Sequence, residues 1–405
     1  MKITHIHIER FRGFQNEDFE VGSLLTAIAG QNGTQKSTLL GIITQTFTLK
    51  TEDSMRVEKP LCGGSYISAF KDKFRLSPTF DKPKGHEWTI SFDAGMDDFT
   101  VESIKRTGDP NVRFWKKGAR QEGDGYISFP TIFLSLKRLV PVAEEAKIIT
   151  DDTLLTQEEL NEFKQLHNKI LIAQTPISSA TTITSKNKQS IGVSTELYDW
   201  NQNSMGQDNL GKIILALFSF KRLHDKYPRQ YKGGILAIDE MDATMYPASQ
   251  VELLKVLRKY ASKLNLQILF TTHSMSLLKA MDDLVQEVTK KEETANQAKI
   301  LYLKKVDDKI AIKQGVNFKG IQLDLNVVAE GNNRKKNRIT AYTEDKENIL
   351  FVKAILKSKA FVLDFVDVTL PCSTLMELVT KRVPAFIYPY SIVILDGDVR
   401  MNKND

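Results

Sequence analysis

Apolar and polar positions alternate in short runs over the first third of the chain. Residues 3–8, 24–28, 88–92 and 99–104 have the two-residue period of strands, and another strand is expected over residues 131–140 (TIFLSLKRLV). The charged, alternating start MKITHIHIERFRGF predicts the edge of a sheet rather than a signal peptide. The period then lengthens. Residues 156–173 carry Leu160, Phe163, Leu166, Ile170 and Leu171 at helical spacing, and Thr156 with Glu159 makes a capping-box pattern. The Ser/Thr/Asn-rich run at residues 178–190 reads as a mobile surface loop. From residue 204 the chain is denser, with a helix expected over 208–224, a buried strand at 234–239, a helix over 249–264 and a strand at 267–271. Such alternation predicts an α/β fold with a largely parallel sheet covered by helices.

A polar, basic run follows, GNNRKKNR at residues 331–338, and then a fresh strand–helix pattern. Strands are expected at 338–344, 361–370 and 391–396, with helices over 346–357 and 373–382. This divides the chain into a domain of residues 1–325 with a helical and loop insertion at about 148–203, a linker over 326–338, and a second domain over 339–405. The 405 residues suffice for two domains, and 41% hydrophobic with 26% charged residues is a soluble globular composition. No apolar run is long enough for a membrane helix. The net charge of +6 is compatible with nucleic acid but equally with many enzymes, so it decides little. Cys62 and Cys372 lie far apart and offer neither a disulfide framework nor a metal knuckle, which predicts a reducing cytoplasm.

Residues 30–38, GQNGTQKST, stand between an apolar strand and an apolar helix start. This is the order of a phosphate cradle: backbone N–H groups point inward and the helix N-terminus adds partial positive charge. Asn32, Gly33 and Thr38 belong to the loop, Lys36 would reach the β- and γ-phosphates, and the Ser37 hydroxyl would hold Mg²⁺. Gln35 departs from the usual pattern, which has glycine before the lysine; the expectation is a slow switch rather than a fast motor. The strand GILAIDE ends in Asp239, suited to Mg²⁺, and Glu240, suited to a general base. His273 follows the next buried strand, where it could touch a γ-phosphate. Ser204, Gly206 and Gln207 open a helix and make a second anion site.

Phosphate loop, Ser-Met-Gly-Gln, Ile-Asp-Glu and Thr-His-Ser in this order resemble the ABC ATPase superfamily, and most closely its soluble branch of RecF, SMC and OLD (overcoming lysogeny defect) proteins. The opening strand ending in Phe11-Arg12-Gly13-Phe14 strengthens the resemblance. It implies a head-to-tail homodimer with ATP between Lys36 and Ser37 of one chain and Ser204 and Gly206 of its mate. It also implies an intersubunit role for Asp242, and a substrate-side or nucleotide contact for Lys137 or Arg138.

In the second domain, parallel strands would bring Glu344, Asp396 and Asp398 to one edge, and three unneutralised carboxylates call for a cation. Hard oxygen ligands favour Mg²⁺ or Mn²⁺. Glu347 is one helical turn from Glu344 and is a further ligand candidate. The pattern resembles a Toprim domain, incomplete after Asp405. ATPase followed by Toprim is the layout of OLD nucleases, so the resemblance implies a cytoplasmic, ATP-gated, metal-dependent DNA endonuclease of anti-phage defence. That reading leaves room for a higher oligomer and for a further defence protein or nucleic acid as partner. Two alternatives stay open: an ATPase sensor or scaffold that holds a separate effector, and an SMC/RecF-like DNA-repair ATPase without nuclease activity.

Overall fold

The computed structural model describes the chain except residues 68–72, 94, 106–111, 119–123, 140–147, 152–153, 185–188, 331–338, 389–390 and 397–405, and the side chains of 151, 326–330, 358 and 361. Packing separates two units, Met1–Leu325 and Asn326–Asp405.

The chain opens with β1 (Ile3–Phe11), β2 (Phe14–Glu20), β3 (Leu25–Gly30) and α1 (Lys36–Thr44). Then come β4 (Glu87–Phe92), β5 (Phe99–Lys105), β6 (Val112–Lys116) and β7 (Thr131–Leu134). β8 (Ile149–Asp151), α2 (Gln157–Leu171), β9 (Ser179–Thr184) and β10 (Gln189–Ser194) follow. Helix and strand next alternate as α3 (Met205–Lys226), β11 (Gly234–Ile238), α4 (Pro247–Lys263), β12 (Leu266–Thr272) and α5 (Met275–Val288). The last elements before the second unit's sheet are β13 (Ala298–Val306), β14 (Lys309–Lys313) and α6 (Phe318–Glu330).

The central sheet runs β14-β13-β3-β12-β11-β7 and is parallel except for β14. Its strands are apolar on both faces because each face is covered. Leu236, Ile238, Ile268 and Phe270 enter the core shared with the helices, whereas Ile28, Ile235, Ala237 and Leu269 enter a second core with α1 and the antiparallel sheet β2-β1-β4-β5-β6. β1 is therefore not an edge. It pairs with β2 on one side and β4 on the other, and its Ile6 and Ile8 are fully buried.

Two further expectations change. The Ser/Thr-rich run is no loop where it is described: β9 and β10 pair as an antiparallel hairpin beside β8, with Ile183, Ile191 and Val193 buried. β-branched threonines suit a half-buried pleat, and the polar composition hid this. The strand expected over 131–140 stops at Leu134 and turns into a 3₁₀ segment, Leu136–Leu139, which carries Arg138 into the interior.

The second unit contains β15 (Ile339–Thr343), α7 (Lys346–Leu356), β16 (Leu363–Phe365), α8 (Cys372–Thr380) and β17 (Ser391–Ile394). Its sheet, β16-β15-β17, is parallel. β16 is shorter than its sequence pattern predicts, since Lys357–Val362 forms a 3₁₀ turn before it. Among the described residues no helix is long and apolar enough to cross a membrane.

Candidate active site

A parallel sheet brings the carboxyl ends of its strands to one edge, where loops can converge on a ligand. Ala29 of β3 is paired with Thr272 of β12, and Phe270 of β12 with Ile238 of β11. The loop after Gly30, the acids after Ile238 and the histidine after Thr272 thus meet, although they are far apart in sequence.

The loop closes on itself through Lys36. Its ammonium donates to the carbonyls of Gly30 (3.0 Å) and Gln31 (2.9 Å). Burial pulls the Lys36 pKa down, while Glu240, Asp239 and Asp242 oppose the shift and favour the cation. Gly33 has φ 80° and open space where a Cβ would stand, so conformation rather than room calls for glycine there. Gln35 takes φ 62°, the left-handed geometry that the usual glycine adopts without strain. Its side chain leans toward the Phe-Arg-Gly-Phe turn: a Cβ on Gly13 would stand 2.8 Å from Gln35 Nε2. Gln35 Oε1 is buried without a partner. Asn32 is exposed on the loop.

Behind the loop, Asp239 Oδ1 accepts from Ser37 Oγ at 2.8 Å and from Thr271 Oγ1 at 2.7 Å. Thr271 Oγ1 in turn accepts from the Glu240 N–H at 2.6 Å. Glu240 is half-buried with φ 49°, a left-handed backbone at a non-glycine residue. His273 is exposed; its backbone N–H donates to Asp242 Oδ1 at 3.3 Å. Partial desolvation, with the nearby Lys36 charge second among the lowering causes, holds its ring below the ordinary histidine pKa. Ser274 caps α5 and its hydroxyl donates to Gln250.

Ser204 and Gln207 cap α3 reciprocally: Ser204 Oγ accepts from the Gln207 N–H, and Gln207 Oε1 accepts from the Ser204 N–H. Gln207 Nε2 donates to Tyr198 at 2.7 Å. Gly206 lies where a Cβ would meet the Thr244 carbonyl at 2.5 Å. Gly206 thus packs against the segment after Glu240, while Ser204 and Gln207 bind each other. Lys137 is exposed, whereas the neighbouring Arg138 is buried and donates to the Glu240 carbonyl at 2.7 Å.

In the second unit, Glu344 follows β15 and Asp396 lies just beyond β17, and Thr343 and Ile394 are paired neighbours. Glu344 and Asp396 therefore stand at the same sheet edge. Glu347 is exposed in the first turn of α7, and Asp398 lies outside the described residues. Among the described residues no three of His, Cys, Asp and Glu are grouped so as to hold a metal ion.

Arg12, inside the turn at residues 11–14, has a role that the sequence pattern does not specify. Arg12 pairs with buried Asp81 through two bonds of 3.1 Å, and its Nη1 reaches Thr38 Oγ1 at 3.5 Å. His86 completes the group with Nε2 at 3.0 Å from Asp81. These residues, with Arg75, Ser77, Phe80 and Gly85, line a pocket of about 510 Å³. The only signal for it in the sequence was an arginine inside an apolar turn.

The sequence profile of the AAA ATPase domain, AAA_15, matches residues 1–189 and 135–278. No curated protein matches the chain. Among solved structures, the SMC head domain from Thermotoga maritima is 14% identical, with a TM-score of 0.43 over 78% of this chain and 100% of that one. An Smc head domain with a coiled coil and joint derived from Pyrococcus yayanosii is 10% identical, with a TM-score of 0.46 over 81% and 99%. The recombination mediator RecF–ATPrS is 12% identical, with a TM-score of 0.39 over 78% and 98%. The two profile matches together run through residues 1–278, well over half of the chain. The protein belongs to the AAA ATPase domain family AAA_15.

Proposed function

We propose that the protein binds Mg²⁺–ATP at the residue 30–38 loop and uses its hydrolysis as a conformational switch. The observation that carries this reading is the contact of Ser37 Oγ with Asp239 Oδ1 at 2.8 Å. Neighbouring oxygens on an octahedral Mg²⁺ with bonds of about 2.1 Å stand roughly 3 Å apart, so this pair already has ligand spacing. When bound, Mg²⁺ would neutralise phosphate charge. Lys36 exchanges its two loop carbonyls for phosphate oxygens, and the N-terminus of α1 adds its partial charge. Glu240 takes the proton of the attacking water, with His273 beside the terminal phosphate. The pocket lined by Arg12, Arg75, Phe80 and Asp81 would take the nucleobase end.

Ser204, Gly206 and Gln207 then serve the nucleotide of a second copy in a head-to-tail dimer, with Asp242 between the sites. DNA is the proposed macromolecular partner, and the cytoplasm the proposed location. The test is Glu240→Gln. It should cut turnover by about 100- to 1,000-fold while ATP binding persists and an ATP-dependent dimer accumulates on gel filtration. Unchanged turnover and assembly would remove Glu240 as the base.

A second reading rests on one observation, the placing of Glu344 and Asp396 at the same edge of a parallel sheet. It makes the second unit a Toprim-like centre and the protein an OLD-like endonuclease of anti-phage defence, with Asp398 as third ligand and Mg²⁺ or Mn²⁺ as metal. Plasmid DNA should then be nicked in the presence of Mg²⁺ or Mn²⁺, and Asp396→Ala should stop it. ATP binding without cleavage under any metal would leave a sensor or scaffold for a separate effector, or an SMC/RecF-like repair ATPase.

A further inference from the structure

Arg138, expected from the sequence to contact substrate or nucleotide, is instead buried and hydrogen-bonded to the protein itself. Only 3% of it is exposed. Its Nε donates to Asn209 Oδ1 at 2.7 Å, Nη1 to the carbonyls of Leu134 (3.3 Å) and Ser135 (3.1 Å), and Nη2 to the Glu240 carbonyl at 2.7 Å. Asn209 is wholly buried, and its Nδ2 donates to the Ala243 carbonyl at 2.9 Å. One guanidinium and one amide thus join three pieces of chain: the turn after β7, the first turns of α3, and the segment 240–243.

Elementary energetics says what such a group is for. A buried guanidinium is costly unless its N–H groups are bonded and opposite charge is near. The four acceptors here are neutral, while Asp239, Glu240 and Asp242 supply the field that favours the cation. Burial lowers the Arg138 pKa to about 10, so it stays protonated at neutral pH. Its position also matches a strained point. Glu240 has φ 49°, and a left-handed residue without glycine's freedom persists only when its surroundings over-determine it. The Glu240 N–H is held by Thr271 Oγ1 and its carbonyl by Arg138, so both polar groups of that residue's backbone are fixed.

We propose that Arg138, anchored by Asn209, is the positioning residue that holds Glu240 in its hydrolytic geometry and couples it to the helix bearing Ser204 and Gly206. The inference rests on the ATPase reading for its catalytic part. Its geometric part concerns the segment 239–244 with or without nucleotide. Because α3 starts at the cap formed by Ser204, a displacement of that helix start is passed through Asn209 and Arg138 to the Glu240 backbone. Engagement of Ser204 by the nucleotide of one copy would in this way adjust the base that serves the other nucleotide.

The experiment compares wild type, Arg138→Met, Arg138→Lys and Asn209→Asp, each with and without Glu240→Gln. ATP turnover, ATP affinity by calorimetry, and amide hydrogen exchange along the chain are measured. Arg138→Met should lower kcat about 100-fold, the effect of an ångström-scale misplacement, with ATP affinity changed less than about 3-fold. Arg138→Lys should recover part of the loss, and exchange should rise in residues 239–244 ahead of the rest of the sheet. In the Glu240→Gln background the further loss should be under about 2-fold, because the group being positioned is already gone. Unchanged kcat, or an equal fold loss with and without Glu240, overturns the proposal. Should Arg138→Met fail to fold, Asn209→Asp keeps an acceptor for Arg138 and drops the donor to Ala243. It should lose about 10-fold in kcat, and no loss overturns the coupling. A wild type without turnover sinks the ATPase reading, and the exchange of residues 239–244 then decides the clamp alone: no rise there refutes it.

Discussion

At the scale of single residues, the structure separates positions that work by charge from those that work by shape. His167 belongs to neither group. It lies on the buried side of α2 with both ring nitrogens lacking a hydrogen-bond partner. Burial outweighs a weaker opposing influence of Asn168 and drives its pKa to about 4. A histidine kept neutral in the fold gives full stability above the unfolded pKa near 6.5 and loses it as pH falls toward 4. The loss over that window is at most about 3.5 kcal/mol, since each pKa unit corresponds to about 1.4 kcal/mol. His167→Leu should flatten this acid limb in chemical denaturation between pH 7 and 4; an unaltered limb would assign it to other groups. Gln35 shows what sequence could and could not deliver. Its departure from glycine was plain, but its left-handed backbone and its lean toward Gly13, some twenty residues earlier, show only in the folded chain.

At the scale of elements, α3 carries the main prediction. Gly206 allows its first turn to approach the Thr244 carbonyl, and a Cβ at 2.5 Å from a backbone oxygen forces the helix start to move. Gly206→Ala should therefore lower stability by about 1–3 kcal/mol and weaken ATP-dependent dimerisation more than ATP binding. Equal loss of both would make its role purely structural. Here the sequence was a good guide wherever period and caps agreed. The Thr156–Glu159 box, the apolar spacing of α2 and the buried run of β11 all appear in the structure close to their expected bounds. The guide failed where composition misled. Threonines in a hairpin looked like a loop, and a buried arginine looked like the tail of a strand. The hairpin's polar composition hid its pairing, and two of the arginine's four acceptors, Asn209 and the Glu240 carbonyl, lie far away in sequence.

At the scale of the whole molecule, the motifs of the site were legible one by one, but their meeting was an inference from parallel topology. That topology also sets the order in which the site can come into being. β3, whose six residues are all buried, lies between β12 and β13, so both its partners come from the far end of the first unit. A fragment of residues 1–325 should fold and bind ATP like the whole chain, whereas residues 1–260, which lack both neighbours of β3, should do neither. Soluble, nucleotide-binding 1–260 would show that β3 finds other partners. During synthesis the consequence is one of timing. At about 5–20 residues per second, β3 waits roughly a quarter of a minute to a minute between its own emergence and that of β13. Lys36 is made early, yet it has no acid or histidine opposite it until most of the first unit exists. Nucleotide therefore cannot guide the early chain. It can only hold a sheet that has already closed, and an apolar strand left waiting that long needs shelter from its neighbours or from a chaperone.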